Sequence, residues 1–481
     1  MLEARSLTFS YEPGKKVLNL LDFRAKPREI VVITGPTGSG KSTLAKCLTG
    51  FIPNSIPGEF SGSVIIDDAE ISELQLAEVA KQVALVQQDP ESQICTLQVS
   101  DEVAFGPENY GRDPVEIQSI VDQSLNAVGS DHLTKRRTFE LSGGEKQRLI
   151  IASMIASQPK YLVLDEPTSS LDPTGVLQLR TILEELKHQN KGIVLIEHNL
   201  SAVQAIADRV LVVDGGKTHT FEAKSTKRTA KSLKSVEIGD QIISTQRLSF
   251  SYENRRILKD LNLSVHNGEI IGLMGSNGSG KTTLLGLLGG LLTPETGSIH
   301  LKDSSLESMN VKNIARFTAI VFQNPNHQIF EKTVWREQNL VLESLDLISS
   351  DTLQQSEILL KKAGIEEMKE KNPFSLSHGQ KRRLNVSSSI VHEPKLLLMD
   401  EPFIGQDWEG CEFIIETVSK TITDGGAAII VTHDPVFVKE YCSRVVFMQD
   451  GGILLDGKPS VVLERLESLG HQEYSMEVKL R

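Results

Sequence analysis

Short apolar runs without alternation recur at matching places in the two halves of the chain. EIVVITG, YLVLDE and GIVLIEH lie in the first half, and EIIGLMG, KLLLMDE and AAIIVTH lie in the second. Runs rich in Val, Ile and Leu, with no polar residue every second position, predict strands buried on both faces. Between them lie stretches with apolar residues at helical spacing, such as STLAKCLTGF and TGVLQLRTILEELKHQ. Strands alternating with helices predict a parallel α/β sheet in each half.

The matching runs belong to a tandem repeat. LTFSYEPGKKVL, with Tyr11, returns as LSFSYENRRIL, with Tyr252. GPTGSGKST (Gly35 to Thr43) returns 240 residues later as GSNGSGKTT (Gly275 to Thr283). Gln88 and Gln323, Ser142 and Ser377, Asp165 and Asp400, and His198 and His433 are each 235 residues apart. The first half therefore holds about five extra residues, expected in a surface loop at PNSIPGEF, Pro53 to Phe60. The expected organisation is one domain over 1–216, a linker over 217–240 and a second domain over 241–481. The polar stretch from Lys217 to Ser235 carries Lys217, Lys224, Lys227, Arg228, Lys231 and Lys234. It reads as a solvated connector rather than as a site for anionic lipid or nucleic acid.

Composition narrows the function classes. A chain of 481 residues, 39% hydrophobic and 24% charged, has material for more than one core. Its net charge of −12 argues against a general nucleic-acid binder. The four cysteines (Cys47, Cys95, Cys411 and Cys442) are scattered, which argues against a zinc module or disulfide framework and for a reducing compartment. The start, MLEARSLTFSY, lacks a signal-peptide pattern, and no run approaches 18 apolar residues. The expectation is a chain that does not span a membrane, so that any membrane role runs through partners.

Both glycine-rich segments match G-x-x-x-x-G-K-[ST], each between a buried strand and a helix. Gly35, Gly38 and Gly40, with Pro36, Thr37 and Ser39, would wrap the backbone around a phosphate; so would Gly275, Gly278 and Gly280, with Ser276, Asn277 and Ser279. Lys41 and Lys281 should reach the β- and γ-phosphates of ATP, with Ser42 and Thr282 turned to Mg²⁺ and Thr43 and Thr283 following. Asp165 and Asp400 close apolar strands at the edge where parallel sheets bind ligands, and suit Mg²⁺. Glu166 and Glu401 suit a general base for water. The plain alternative for such an Asp-Glu pair is a helix cap; the upstream phosphate loop outweighs it.

LSGGE (Leu141 to Glu145) and LSHGQ (Leu376 to Gln380) are the most discriminating segments. With them, the chain resembles the nucleotide-binding subunits of ATP-binding-cassette proteins over nearly its whole length. The resemblance implies α/β tandem P-loop NTPase domains, each with a mainly parallel sheet core, an antiparallel β subdomain and a helical signature subdomain. It implies that the two halves pair head to tail as a cassette sandwich. Ser142, Gly143 and Gly144 would complete the Lys281 site, and Ser377 and Gly379 the Lys41 site. Tyr11 and Tyr252 match the aromatic that stacks on adenine. Gln88 and Gln323 match the glutamine that senses Mg²⁺ and water, and His198 and His433 the switch histidine.

The halves also differ. His378 stands where the first half has Gly143, and IGQD (Ile404 to Asp407) stands where it has SSLD (Ser169 to Asp172). Both departures fall on the composite Lys41 site, which is expected to hydrolyse ATP more slowly. FQNPNHQIF after Val321 and SDEVAFGPEN (Ser100 to Asn109) look like the ATPases of energy-coupling-factor importers. That resemblance implies a transmembrane coupling subunit, a small substrate-binding membrane subunit and a peripheral position on the cytoplasmic face of the membrane. It implies uptake of a vitamin, a precursor or a metal ion. A tandem ATPase acting on ribosomes would carry a long charged linker, and a chromosome-structure ATPase would carry coiled coils; an exporter ATPase differs only in its partner.

Overall fold

A computed structural model describes residues 1–36, 38–169, 171–197, 200–220, 237–253 and 255–474. Thr37, His198 and most of the expected linker lie outside the described residues. The chain divides into two compact units, Met1–Thr226 and Lys227–Arg481.

In unit 1 a six-stranded sheet runs, edge to edge, Lys217–Thr220, Arg209–Asp214, Ile30–Thr34, Gly192–Ile196, Tyr161–Asp165, Val83–Val86. All neighbours are parallel except the first pair. The non-alternating runs behave as expected. Ile30, Val32, Leu162, Leu164, Ile193 and Leu195 enter the core on one face of the sheet. Val31, Ile33, Val163, Val194 and Ile196 enter a second core on the other face. Two cores leave no position for alternation. Unit 2 repeats the order with Gly452–Gly457, Arg444–Gln449, Ile270–Gly275, Ala427–Val431, Leu396–Asp400 and Thr318–Val321.

Each unit adds a four-stranded antiparallel sheet. In unit 1 the order is Lys16–Ala25, Leu2–Ser10, Glu59–Ile66, Ala69–Glu70; in unit 2 it is Arg255–His266, Gln241–Tyr252, Thr296–Leu301, Ser304–Ser305. The longer helices include Val99–Asn109, Pro114–Ala127, Gly143–Ala156 and Pro173–His188 in unit 1, and Val334–Ser344, Ser350–Lys362, His378–Ile390 and Trp408–Thr423 in unit 2. Among the described residues no helix is long and apolar enough to cross a membrane.

The extra residues of the first half lie mostly at the surface: Asn54, Ser55, Pro57 and Gly58 are exposed, and Glu59 and Phe60 already pair with Ser10 and Phe9. The segment expected to open the linker differs from that reading, because it begins in a strand. Lys217–Thr220 pairs with Leu211–Asp214, and the Thr218 hydroxyl donates to the Asp22 carbonyl at 2.7 Å.

Candidate nucleotide sites

The phosphate loop of unit 1 leaves the buried strand Ile30–Thr34 and enters the helix Lys41–Leu48. Gly35, Gly38 and Gly40 have φ of 145°, 79° and 102°; Gly275, Gly278 and Gly280 have 142°, 79° and 101°. Side chains are strained in this region. The loops are also tight. A Cβ on Gly35 would stand 2.1 Å from the Val213 carbonyl oxygen, and one on Gly275 would stand 2.2 Å from that of Met448. Lys41 Nζ donates to the Gly35 and Pro36 carbonyls, both at 2.8 Å; Lys281 Nζ donates to Gly275 and Ser276 at 2.7 and 2.9 Å. Each ammonium is thus held inside its loop. Ser39 Oγ and Ser279 Oγ are buried with no hydrogen-bond partner among the described residues. A buried hydroxyl without a partner is costly unless a ligand oxygen completes it, so both loops fit a phosphate.

Asp165 and Asp400 end their strands as expected, and both are buried. The cap alternative fails, because the helices that follow are capped by Asp172 and Asp407 instead. Burial, joined by the charge of Glu166, pushes the Asp165 carboxyl up to about 6, against the opposing Ser42 hydroxyl and Lys41. Its Oδ1 has no hydrogen-bond partner among the described residues. Thr282 Oγ1 donates to Asp400 Oδ2 at 2.5 Å, and burial raises Asp400 too. No group of three or more His, Cys, Asp or Glu side chains able to hold a metal occurs among the described residues. A metal here would rest on one carboxylate, one hydroxyl, water and the ligand's own oxygens, which suits Mg²⁺.

Glu166 and Glu401 each take φ 49°, a left-handed conformation unusual for glutamate. The neighbouring strand imposes it: Glu166 N donates to Ile196 O at 2.9 Å, and Glu401 N to Val431 O at 3.1 Å. The side-chain partners differ. Gln88 Nε2 donates to Glu166 Oε2 at 2.7 Å, while His433 Nε2 lies 3.2 Å from Glu401 Oε1 and Gln323 is exposed. Burial, then the charge of Asp400, pushes the Glu401 carboxyl well above the usual carboxylate range. Tyr11 and Tyr252 are exposed beside their loops, each edge-on to the preceding Phe9 or Phe250, and the Tyr11 hydroxyl lies 3.2 Å from Thr43 Oγ1.

The signature segments form helix starts with reciprocal caps. Ser142 and Ser377 are the cap residues, with Glu145 and Gln380 reaching back to the serine N–H at 2.7 and 3.0 Å. Gly143 and His378 both occupy the first helical position, so His378 adds its ring without a change of backbone. Gln406, within IGQD, is buried and donates to the Gly379 carbonyl at 3.3 Å; its counterpart Leu171 only packs.

Two buried ionisable residues lie inside or beside the motifs without belonging to their pattern. Glu197, beside His198, accepts from Thr168 N at 3.1 Å, and burial pushes its carboxyl up to about 8, with Glu166 and Asp165 adding to the rise. Thr432 stands at its counterpart position. Arg382 is fully buried in the helix after the second signature, at the counterpart of Gln147. A charged residue inside LIEH, and a KRR run on a helix face, were the signals that could have found them.

The ABC transporter family model matches residues 18–169 and 258–404. Two relatives, both named with the qualifier "Putative", span nearly the whole chain. The HMP/thiamine import ATP-binding protein YkoD of Bacillus subtilis (strain 168) is 31% identical over 96% of this chain and 92% of its own length. An ABC transporter ATP-binding protein of Methanosarcina mazei is 32% identical over 98% of this chain and 91% of its own length. Among solved structures, cbiO1 from Clostridium perfringens, described as part of the ABC transporter complex cbiONQ, is 30% identical. It matches 49% of this chain and 96% of its own, with a TM-score of 0.42. The fold is that of tandem ABC ATPase domains, and the chain belongs to the ABC transporter family, whose ATP-binding proteins hydrolyse ATP coupled to transport.

Proposed function

We propose that the chain is the ATPase subunit of an energy-coupling-factor-type importer that takes up a vitamin, a precursor or a metal ion. In this reading it sits on the cytoplasmic face of the membrane, against a transmembrane coupling subunit and a small substrate-binding subunit. The carrying observation is apolar surface beside each glutamine segment. In unit 1, Leu97 is 72% exposed and Phe139 60%, and the two segments that bear them meet through Thr138 N and Leu97 O at 3.1 Å. In unit 2, Phe330 and Phe374 are 73% and 53% exposed, and Lys381 links the Phe374 ring to Asn326. Exposed aromatic side chains of this size mark protein contacts. The printed name of YkoD, which specifies HMP/thiamine import, supports the same class.

The two cassettes close on each other with ATP and Mg²⁺ at both composite sites. Lys41, Lys281 and the opposite signature serine stabilise the γ-phosphate; Asp165 and Asp400, with Ser42 and Thr282, hold Mg²⁺. Glu166 and Glu401, with Gln88, Gln323, His198 and His433, orient water. Tyr11 and Tyr252 stack on adenine. The test is affinity purification from detergent-solubilised host membranes, with mass spectrometry of the co-purifying proteins. A multi-spanning protein with a small hydrophobic subunit is the expected result, lost when Phe139 and Phe374 are both changed to Asp. Ribosomal proteins, or an exporter's membrane domain, would overturn the reading.

A further inference from the structure

The helix His378–Ile390 is stitched by polar side chains to the segment around Gln323. Lys381 Nζ donates to Asn326 Oδ1 at 3.0 Å, Asn385 Nδ2 to Pro325 O at 2.8 Å, and Ser389 Oγ to Ile320 O at 3.4 Å. Arg382 lies at the centre. Its Nη2 donates to the Gln323 carbonyl, and its Nη1 is shared among the carbonyls of Phe322 at 3.2 Å, Glu401 at 3.2 Å and Asp400 at 3.4 Å. One guanidinium therefore spans three pieces of chain: the signature helix, the glutamine segment and the end of the hydrolytic strand. Its planar fork suits this, because several donors are held in one rigid geometry.

Unit 1 keeps one link, the ion pair of Lys146 with Glu91 at the places of Lys381 and Asn326, and differs at the others. Gln147, Ile150 and Met154 replace Arg382, Asn385 and Ser389. Ile150 is fully buried in an apolar core and Met154 packs against that core. Apolar contacts are non-directional and tolerate sliding; hydrogen bonds to fixed carbonyls do not.

We propose that Arg382 is a positioning residue that locks the signature helix of unit 2 to its glutamine segment and to the Asp400–Glu401 strand end, so that the three move as one body, while unit 1 ties the same pieces through side-chain ends at Lys146–Glu91 and Gln88–Glu166 rather than through buried backbone carbonyls. A cation fully buried among backbone carbonyls is costly to desolvate; four carbonyls meet its two Nη atoms, while its Nε has no hydrogen-bond partner among the described residues. The catalytic meaning of this lock rests on the proposed roles of Gln323 and Glu401; the lock itself does not.

Hydrogen–deuterium exchange of the full chain tests it. Amides of 322–328 should exchange more slowly than those of 87–93. Arg382→Gln, the residue of unit 1, should speed exchange at 322–328 by about ten-fold or more, with 35–45 unchanged. Arg382→Lys should restore part of the protection. Should Arg382→Gln fail to fold, the pair Asn385→Ile and Ser389→Met, again the residues of unit 1, should loosen the same segment with Arg382 in place. Unchanged exchange at 322–328 in a folded variant would overturn the proposal. Turnover is read separately: kcat of Arg382→Gln should fall about ten-fold with KM for ATP within about two-fold. Faster exchange with full turnover would uphold the lock and remove the hydrolytic roles of Gln323 and Glu401.

Discussion

Units 1 and 2 hold their phosphate loops in nearly one conformation, with glycine φ values that agree within 3° and a left-handed glutamate at 49° in each. Their buried charges do not agree. Unit 1 places Glu197 near Asp165 and Glu166, where unit 2 has Thr432; unit 2 places Arg382 against Asp400 and Glu401, where unit 1 has Gln147. The backbone of a phosphate cradle has little freedom to drift, since a Cβ at Gly35 or Gly275 meets a carbonyl oxygen. The groups behind it are free to change, because each needs only local partners. A duplicated site can thus stay able to bind while its two copies come to differ in charge and coupling.

The shared half of this comparison predicts the largest effects. Gly35→Ala and Gly275→Ala should each abolish nucleotide binding at its own loop, a loss of about 100-fold or more in affinity, by adding a clash to positive-φ strain. Equilibrium binding of a fluorescent ATP analogue should fall from two sites to one in either variant. A harmless substitution in one unit would break the equivalence of the loops. Tyr11→Ala and Tyr252→Ala should weaken ATP by about 5- to 30-fold, from about 1–2 kcal/mol of stacking. Binding that is unchanged in both would remove the adenine assignment.

The unequal half predicts a pH effect. Burial raises Asp165 to about 6 and Glu197 to about 8 in the folded chain, well above an exposed carboxyl. The unfolded chain therefore gives up these protons first, and stability falls as pH rises from the ordinary carboxylate range, about 4, to the folded values, levelling off above them. Calorimetry of the nucleotide-free chain should show a falling melting temperature from about pH 4.5 to about pH 8. Glu197→Gln should raise Tm by about 2–4 °C or more near pH 8 and leave it nearly unchanged near pH 4.5, where both states hold the proton. A slope that Glu197→Gln does not alter would refute the assignment. The smallest effect is His378→Gly, which should raise turnover at the proposed Lys41 site by about two-fold, since the ring alone is removed from the first helical position. Single-site turnover in a Glu401→Gln background would show it.

Much of this was legible in the sequence, for identifiable reasons. Non-alternating runs such as YLVLD gave away strands with cores on both faces, and the glycine pattern gave away the loops, because few other residues take those φ values. The strand Lys217–Thr220 reads as linker because its residues are all polar, and no local pattern tells that the neighbouring strand supplies its hydrogen bonds. Arg382 and Glu197 were inside quoted motifs, yet their roles depend on carbonyls and N–H groups of distant segments. The capping boxes at Ser142 and Ser377 were readable as S-x-x-E and S-x-x-Q, and lay hidden behind the stronger family signal.

The central claim is that the two proposed sites do unequal work. Steady-state ATP hydrolysis of Glu166→Gln and Glu401→Gln, measured side by side in the full chain, tests it most directly. The account predicts that Glu401→Gln lowers turnover by about 100-fold or more, the usual scale for a general base, while Glu166→Gln lowers it by about two- to five-fold. Equal losses in the two variants would contradict it.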